Sequence, residues 1–161
     1  MLTIADRVAS YAASEEGQRF PGSVPVLSRG GEFMHGHWVM GRDYRSRSWL
    51  YGAYPPRDVP RVRSLFPEVL EREIAHVFSG SVEAGDWMRI DRSLERVPRP
   101  TVYADAQALP FLAGRAPWLL WMGDPPYTKP DAKRYGTKMV NRQATLLEIA
   151  RAVPAGTNLV W

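Results

Sequence analysis

The chain has 161 residues, 45% of them hydrophobic and 24% charged, with a net charge of +4. This balance is typical of a folded globular domain and not of a disordered protein. The lack of cysteine excludes disulfides, thiolate metal sites and cysteine nucleophiles, and no apolar run approaches the ~20 residues of a membrane span. The N-terminus lacks the layout of a signal peptide, so we expect a cytoplasmic protein.

A helix is predicted over residues 3–16. Thr3 is a favoured N-cap residue, and Asp6 stands three positions later as a variant of the capping box. The apolar residues that fall on one face at helical spacing are Ile4, Val8, Tyr11 and Ala12.

Residues 1–48 are predicted to form a separate N-terminal part whose role is unknown. After the helix, residues 17–48 are rich in Gly, Pro, Arg and Ser and show little periodicity. They contain His35 and His37, which stand two residues apart with no third ligand indicated. We therefore predict no metal site.

The second predicted domain covers residues 49–161. It opens on an aromatic segment, residues 49–56, and continues with a predicted helix over 57–72. Pro60 suits the first turn of this helix because the missing N–H has no partner there anyway. Pro67 should end or kink the helix.

Five short apolar runs follow, and they predict strands over residues 74–78, 87–90, 101–104, 118–122 and 158–161. A helix is predicted over 141–152, with Ala144, Leu147, Ile149 and Ala150 mostly facing inward. Apolar strands that alternate with helices or loops favour a parallel sheet covered on both faces, and hence an α/β fold.

The first four predicted strands end in polar or small residues. The ends are Ser79-Gly80-Ser81, Asp91, Asp105 and Asp124. In open α/β sheets, ligands bind beyond the carboxyl ends of the strands, so these positions are candidate ligand contacts. Taken singly, the first could be an ordinary turn, and Asp91 and Asp105 could be helix N-caps.

The fourth strand leads into the sequence Asp-Pro-Pro-Tyr, residues 124–127. The two prolines fix the backbone beside the carboxylate, and the tyrosine adds a flat aromatic face. A rigid surface turn is the simpler interpretation of these four residues, since Asp-Pro commonly begins a turn. Their place behind three other polar strand ends favours a functional interpretation.

This series of strand ends resembles the class I S-adenosylmethionine-dependent methyltransferases. It is most similar to those that methylate the exocyclic amine of adenine or cytosine in DNA, and to small methyltransferase-like proteins of phages and prophages. The resemblance covers residues 49–161 and implies a Rossmann-like, mostly parallel sheet. The full fold of that family has seven strands. The predicted strands stop near the fifth, so we expect a sheet that is incomplete at the C-terminus.

The resemblance implies that S-adenosylmethionine is the cofactor. Asp91 would bind its ribose hydroxyls, and Asp105 would bind its adenine amino group together with the backbone N–H of Ala106. The other residues implied in cofactor binding are Phe78, Ser79 and Gly80, at the methionine end, and Tyr51 and Gly52, which would close over it.

The resemblance also implies that Asp124, Pro125, Pro126 and Tyr127 form the catalytic motif. The Asp124 carboxylate and the Pro125 carbonyl would accept the two N–H groups of the target amine, and Tyr127 would stack on a base flipped from a duplex or taken from a single strand. This requires Asp105 and Asp124 to line a common cleft. Four basic residues after the motif are candidate phosphate contacts: Lys129, Lys133, Arg134 and Lys138.

The predicted function is therefore methylation of the adenine amine in DNA, in a bacterial or phage-infected cell. One alternative is a catalytically silent protein that binds cofactor or nucleic acid as an accessory. Another is methylation of a different planar nitrogen, in cytosine, RNA or a protein amide. The open sheet edge also suggests a homo-oligomer or a partner that completes the sheet.

Overall fold

The computed structural model describes residues 2–38, 54, 57–96, 98–126, 128–134 and 136–161. These residues divide into two compact units. The N-terminal unit contains the described residues up to 38, residue 54 and residues 57–69, and the C-terminal unit contains those from 70 onward. The sequence analysis places the domain boundary at 48/49, whereas the segment 57–69 has its contacts with the N-terminal unit.

The N-terminal unit begins with helix α1, Ile4–Ala13. The predicted capping box is present: the Thr3 hydroxyl accepts the Asp6 N–H at 3.1 Å, and the Asp6 carboxylate accepts the Thr3 N–H at 3.0 Å. Such a cap stabilises a helix by about 1 kcal/mol. The helix ends at Ala13, three residues before the predicted end.

Residues 17–38 contain more regular structure than their composition indicates. Ser14 caps a second short helix, α2, Glu15–Arg19. Strand β1, Val26–Leu27, pairs antiparallel with β2, Met34–His35.

Helix α3 spans Asp58–Leu65 and ends before Pro67, as predicted, but well short of residue 72.

Charged side chains are buried in the N-terminal unit. Arg7 is 5% exposed and donates to both carboxylate oxygens of Glu68, at 2.6 and 3.2 Å. Arg61 is 3% exposed and lies over the Phe20 ring at 4.2 Å. A buried guanidinium requires such partners because transfer of an unpaired charge from water is costly.

The C-terminal unit contains a parallel five-stranded sheet among its described residues. Its strands are β3 (Ile74–Val77), β4 (Met88–Asp91), β5 (Val102–Tyr103), β6 (Leu120–Gly123) and β7 (Asn158–Val160). All five predicted strands are confirmed within two residues. The spatial order β5-β4-β3-β6-β7 corresponds to 3-2-1-4-5 in chain order, which is the doubly wound arrangement of Rossmann-like sheets.

The register aligns the ends of the three central strands. Val77 is the Cα partner of Ile90 on one side and of Gly123 on the other. The residues that follow, Phe78, Asp91 and Asp124, therefore leave these strands at the same level. Because the strand order reverses between β3 and β6, the connections diverge there and leave a crevice.

One face of the sheet packs against helix α5, Arg142–Ala152. The helix forms where predicted, and Asn141 caps it by accepting the Ala144 N–H at 3.1 Å. The prediction of its inward face was partly wrong. Leu147 is 63% exposed and Ala150 is exposed, and the buried positions are Thr145, Ile149 and Ala152.

A short helix, α4, spans Lys129–Arg134 and follows the Asp-Pro-Pro-Tyr motif. Across the described ranges, no helix combines the length and the apolar character needed to cross a bilayer.

Candidate functional site

A cleft of about 910 Å³ opens at the carboxyl edge of the sheet. Four strand ends contribute to it: Phe78 and Gly80 after β3, Asp91 at the end of β4, Asp105 after β5, and Asp124 after β6. The four strands β5, β4, β3 and β6 are adjacent, so three spacings of ~4.8 Å give a row about 14 Å wide. Asp105 and Asp124 thus line a common cleft, as the sequence hypothesis requires.

The turn after β3 has left-handed backbone at two positions. Phe78 has φ 58° and Gly80 has φ 50°. Glycine adopts this conformation without strain, whereas phenylalanine is strained and must be held by its surroundings. Both residues line the cleft, but Ser79 is 2% exposed and is not among the residues that line it.

The Asp91 carboxylate joins two of the turns that form the cleft. Its Oδ2 accepts the Gly80 N–H at 3.0 Å, and its Oδ1 accepts the Ser93 N–H at 2.9 Å. An ionised carboxylate has about four lone-pair sites, so after these two bonds it can still accept hydrogen bonds from other donors. Asp91 is half-buried, and it can both fix the loop and accept hydroxyl groups of a ligand.

Asp105 forms a turn of its own rather than a helix cap. Its Oδ1 accepts the Gln107 N–H at 2.9 Å, and Asp91 bonds Ser93 at the same two-residue offset. No helix begins at either aspartate in the described residues, so the alternative interpretation as helix N-caps is wrong for both. Asp105 is exposed in the cleft, whereas Ala106 is buried in the hydrophobic core and does not line it.

Asp124 begins the rigid corner after β6. It is half-buried and lines the cleft together with Pro126, which is also half-buried. Pro125 between them is buried and is not among the lining residues. Asp124 therefore stands at the reversal point of the strand order, on the opposite side of β3 from Asp91 and Asp105.

Several residues that line the cleft have no counterpart in the sequence hypothesis. Tyr103 is 62% exposed and Leu94 is 54% exposed, and both line the cleft. The signal for Tyr103 was its position in an edge strand, where alternate side chains face solvent. Lys138 was predicted as a candidate phosphate contact, but the other loop residues could not be found from local patterns, because segments 92–96 and 136–140 line one cleft only in the folded chain.

The cleft carries charges of both signs. Carboxylates come from Asp91, Glu95, Asp105 and Asp124, and cations come from Arg92, Arg96 and Lys138. Lys138 belongs to the segment 136–140, which follows α4 and includes Gly136 at φ 64°. A cleft with this mixture can bind a ligand that offers both hydrogen-bond donors and anionic groups.

His76 lies in β3, two residues before Phe78, and is fully buried. Its ring contacts Trp87 edge-on, with 5.2 Å between ring centroids. Burial and then the positive charge of Arg89, its Cα partner on β4, lower the pKa of His76 to about 4. The residue is therefore neutral at physiological pH and acts as part of the sheet interior.

Three residues named in the sequence hypothesis, Tyr51, Gly52 and Tyr127, lie outside the described residues. Within the described ranges, no three histidine or acidic side chains come together as metal ligands.

The chain was compared with protein-family models, with curated proteins and with solved structures, and none of them matches it.

Proposed function

We propose that this protein transfers a methyl group from S-adenosylmethionine to the exocyclic amine of adenine in DNA. The observation that carries the proposal is that Asp91 and Asp105, on one side of β3, line the same cleft as Asp124, on the other side. This arrangement supports a cofactor half and a target half that meet at the strand-order reversal.

The cofactor half suits an adenosine group. Asp91 keeps free lone pairs for ribose hydroxyls while its N–H bonds to Gly80 and Ser93 hold it in place. Asp105 is exposed and can accept from the adenine amino group, and the exposed Tyr103 ring next to it offers a flat apolar surface. The left-handed backbone at Gly80 suits close approach of a ligand to the chain.

The target half suits a planar amine. Such an amine is a poor nucleophile because its lone pair is delocalised into the ring. Hydrogen bonds from its two N–H groups to the Asp124 carboxylate and to a backbone carbonyl of the proline pair would favour a tetrahedral nitrogen with an available lone pair. The same acceptors stabilise the positive charge that develops on nitrogen.

When bound, S-adenosylmethionine supplies an electrophilic methyl group and retains, on sulfur, the electron pair of the bond that breaks. The amine nitrogen forms the new bond to carbon, and its surplus proton leaves through the Asp124 carboxylate or water. In this scheme Asp124 acts as an ionised hydrogen-bond acceptor. The lining cations, and Lys138 in particular, would pair with phosphates of the target strand.

The test compares Asp124→Ala with a matched control, Asp86→Ala. Asp86 is an exposed aspartate of the same unit that does not line the cleft. Methyl transfer from radiolabelled cofactor to unmethylated DNA is measured next to calorimetric binding of S-adenosylmethionine. We expect Asp124→Ala to lose at least ~100-fold in transfer, as removal of an acceptor of this kind costs, while cofactor binding changes by less than about threefold.

Mass analysis of treated DNA, RNA and protein identifies the acceptor. Methyl-adenine in DNA supports the proposal. Transfer to cytosine, RNA or a protein amide would mean that the site is correct but the substrate is a different one. Cofactor binding without transfer to any of these would favour a catalytically silent accessory protein. Full activity in Asp124→Ala would remove the mechanism.

A further inference from the structure

The indole ring of Trp161 lies against both halves of the proposed site. It meets the Phe78 ring edge-on, with 5.9 Å between ring centroids and 76° between the planes. The ring also lies beside Gly123, where a Cβ atom would come within 3.2 and 3.3 Å of two carbons of the six-membered ring. Phe78 begins the turn on the cofactor half, and Gly123 directly precedes Asp124.

The sheet fixes the position of this ring. Trp161 follows β7, whose Val160 is the Cα partner of Met122 in β6. The ring therefore lies one residue beyond the last pair of the ladder, beside the backbone of Gly123. A side chain at Gly123 would also come within 3.0 Å of Val77 Cγ1, so at this point the backbone of β6 is packed between the indole ring and β3.

The strained turn after β3 needs such a support. Phe78 has left-handed backbone, and a non-glycine residue retains this conformation only where its surroundings hold it. The ring contact with Trp161 holds the Phe78 side chain from the face of the sheet that packs on α5. Gly80 and its bond to Asp91 follow two residues later, so the same support extends to the cofactor half.

We propose that Trp161 is a positioning residue that fixes the spacing between the Phe78–Gly80 turn and the Asp124 corner. The inference rests on the proposed function, in which methyl donor and amine occupy these two halves. Transfer requires the reacting atoms to be aligned, and a displacement of about 1 Å can cost on the order of 100-fold in rate. Ordinary core packing is the competing explanation, because Trp161 also packs against the hydrophobic core.

The variants are Trp161→Leu, Trp161→Phe and the control Trp118→Leu. Trp118 is a buried tryptophan of the same core whose ring contacts Phe111 and Trp121, and it does not line the cleft. We expect Trp161→Leu to lower kcat at least ~30-fold with each KM within about threefold, because alignment acts on the reacting state. Trp161→Phe keeps an aromatic edge and should remain within about fivefold of wild type. Trp118→Leu should change kcat per folded molecule by less than about twofold.

Amide hydrogen exchange tests whether Trp161 holds the Phe78–Gly80 turn, and this measurement does not depend on activity. In Trp161→Leu the amides of Gly80 and Asp91 should exchange faster than in Trp118→Leu at equal global stability, because the turn is released locally. If wild-type protein transfers methyl groups but Trp161→Leu and Trp118→Leu have equal kcat, only this inference is overturned. A rise in KM without loss of kcat also overturns it. If wild-type protein transfers nothing, the proposed function is overturned. In that case, unchanged amide exchange in Trp161→Leu would also overturn the inference that Trp161 holds the Phe78–Gly80 turn.

Discussion

The carboxylate of Asp91 accepts the backbone N–H of Gly80 at 3.0 Å across the ends of neighbouring strands. One side chain thereby connects the turn after β3 to the end of β4. This bond makes Asp91 both a structural residue and a candidate ligand contact, and the two roles can be separated by experiment.

Asp91→Asn keeps the size of the side chain but replaces one acceptor oxygen with a donor. Either Gly80 or Ser93 then loses its partner, which should lower the free energy of unfolding by about 1–3 kcal/mol. Binding of S-adenosylmethionine, measured by calorimetry on folded protein, should weaken at least ~10-fold, or about 1.4 kcal/mol. Loss of stability with unchanged cofactor affinity would mean that the carboxylate serves the loop alone.

Gly80→Ala places a side chain at φ 50°, and the left-handed backbone should lower the free energy of unfolding by about 1–2 kcal/mol. Gly114→Ala is the matched control, because Gly114 has φ 64°, has open space around its Cβ position and lies outside the cleft. Both variants should lose similar stability in denaturant titrations. Only Gly80→Ala should weaken cofactor binding, and equal affinity in the two variants would contradict a ligand role for this turn.

Lys138→Ala removes a cation that lines the cleft. We expect weaker binding to single-stranded DNA, and a plot of log affinity against log salt whose slope falls by about 1. Arg72→Ala, an exposed cation away from the cleft, removes the same charge and should leave the slope unchanged. If both variants behave alike in fluorescence anisotropy, the protein's overall charge rather than the cleft controls its contact with DNA.

His76 makes stability depend on pH in a defined window. Its folded pKa of about 4 lies below the ordinary histidine value of 6.5, so between these values the unfolded chain binds a proton that the folded chain does not. The contribution of neutral His76 to the free energy of unfolding should therefore be fully present above pH 6.5. It should be lost as the pH drops toward 4, by about 3 kcal/mol in total.

Denaturant titrations from pH 7 to 4 check this on wild type, His76→Phe and Met122→Leu. Met122 is a buried, non-titrating neighbour and the Cα partner of His76 on β6. Met122→Leu should shift the free energy of unfolding equally at every pH, whereas His76→Phe should flatten the curve. An unchanged slope in His76→Phe would assign the acid lability to other groups.

The sheet could be predicted because buried parallel strands are continuous apolar runs with polar ends. The face of α5 could not be predicted in the same way. Thr145 is buried, and its hydroxyl is satisfied by donating to the Asn141 carbonyl at 3.0 Å. Residue polarity alone therefore assigned a partly wrong inward face, although the helix itself was placed correctly. The burial of Arg7 likewise depends on Glu68, sixty-one residues away, which no local pattern indicates.

The residues of the candidate site also fall into those that could be predicted from the sequence and those that could not. Phe78, Gly80, Asp91, Asp105, Asp124 and Pro126 were identified at strand ends, and Lys138 was identified among the basic residues that follow the motif. Most of the loop residues that complete the cleft were not identified. Leu94 and Met139 are separated by more than forty residues and line the same cleft only because the chain folds. Short-range patterns carry no information about such convergence, which depends on loop paths rather than on periodicity.

The alignment of Phe78, Asp91 and Asp124 at one level of the sheet has a consequence for which substitutions the protein can tolerate. The gap at the tips of the central strands is created by main-chain hydrogen bonding and by the reversal of the strand order, and it would persist if exposed loop side chains such as Leu94 were replaced. Substitution in the loops can therefore alter which molecule is held there without rebuilding the scaffold. Chemistry and architecture are in this sense separately adjustable in this chain.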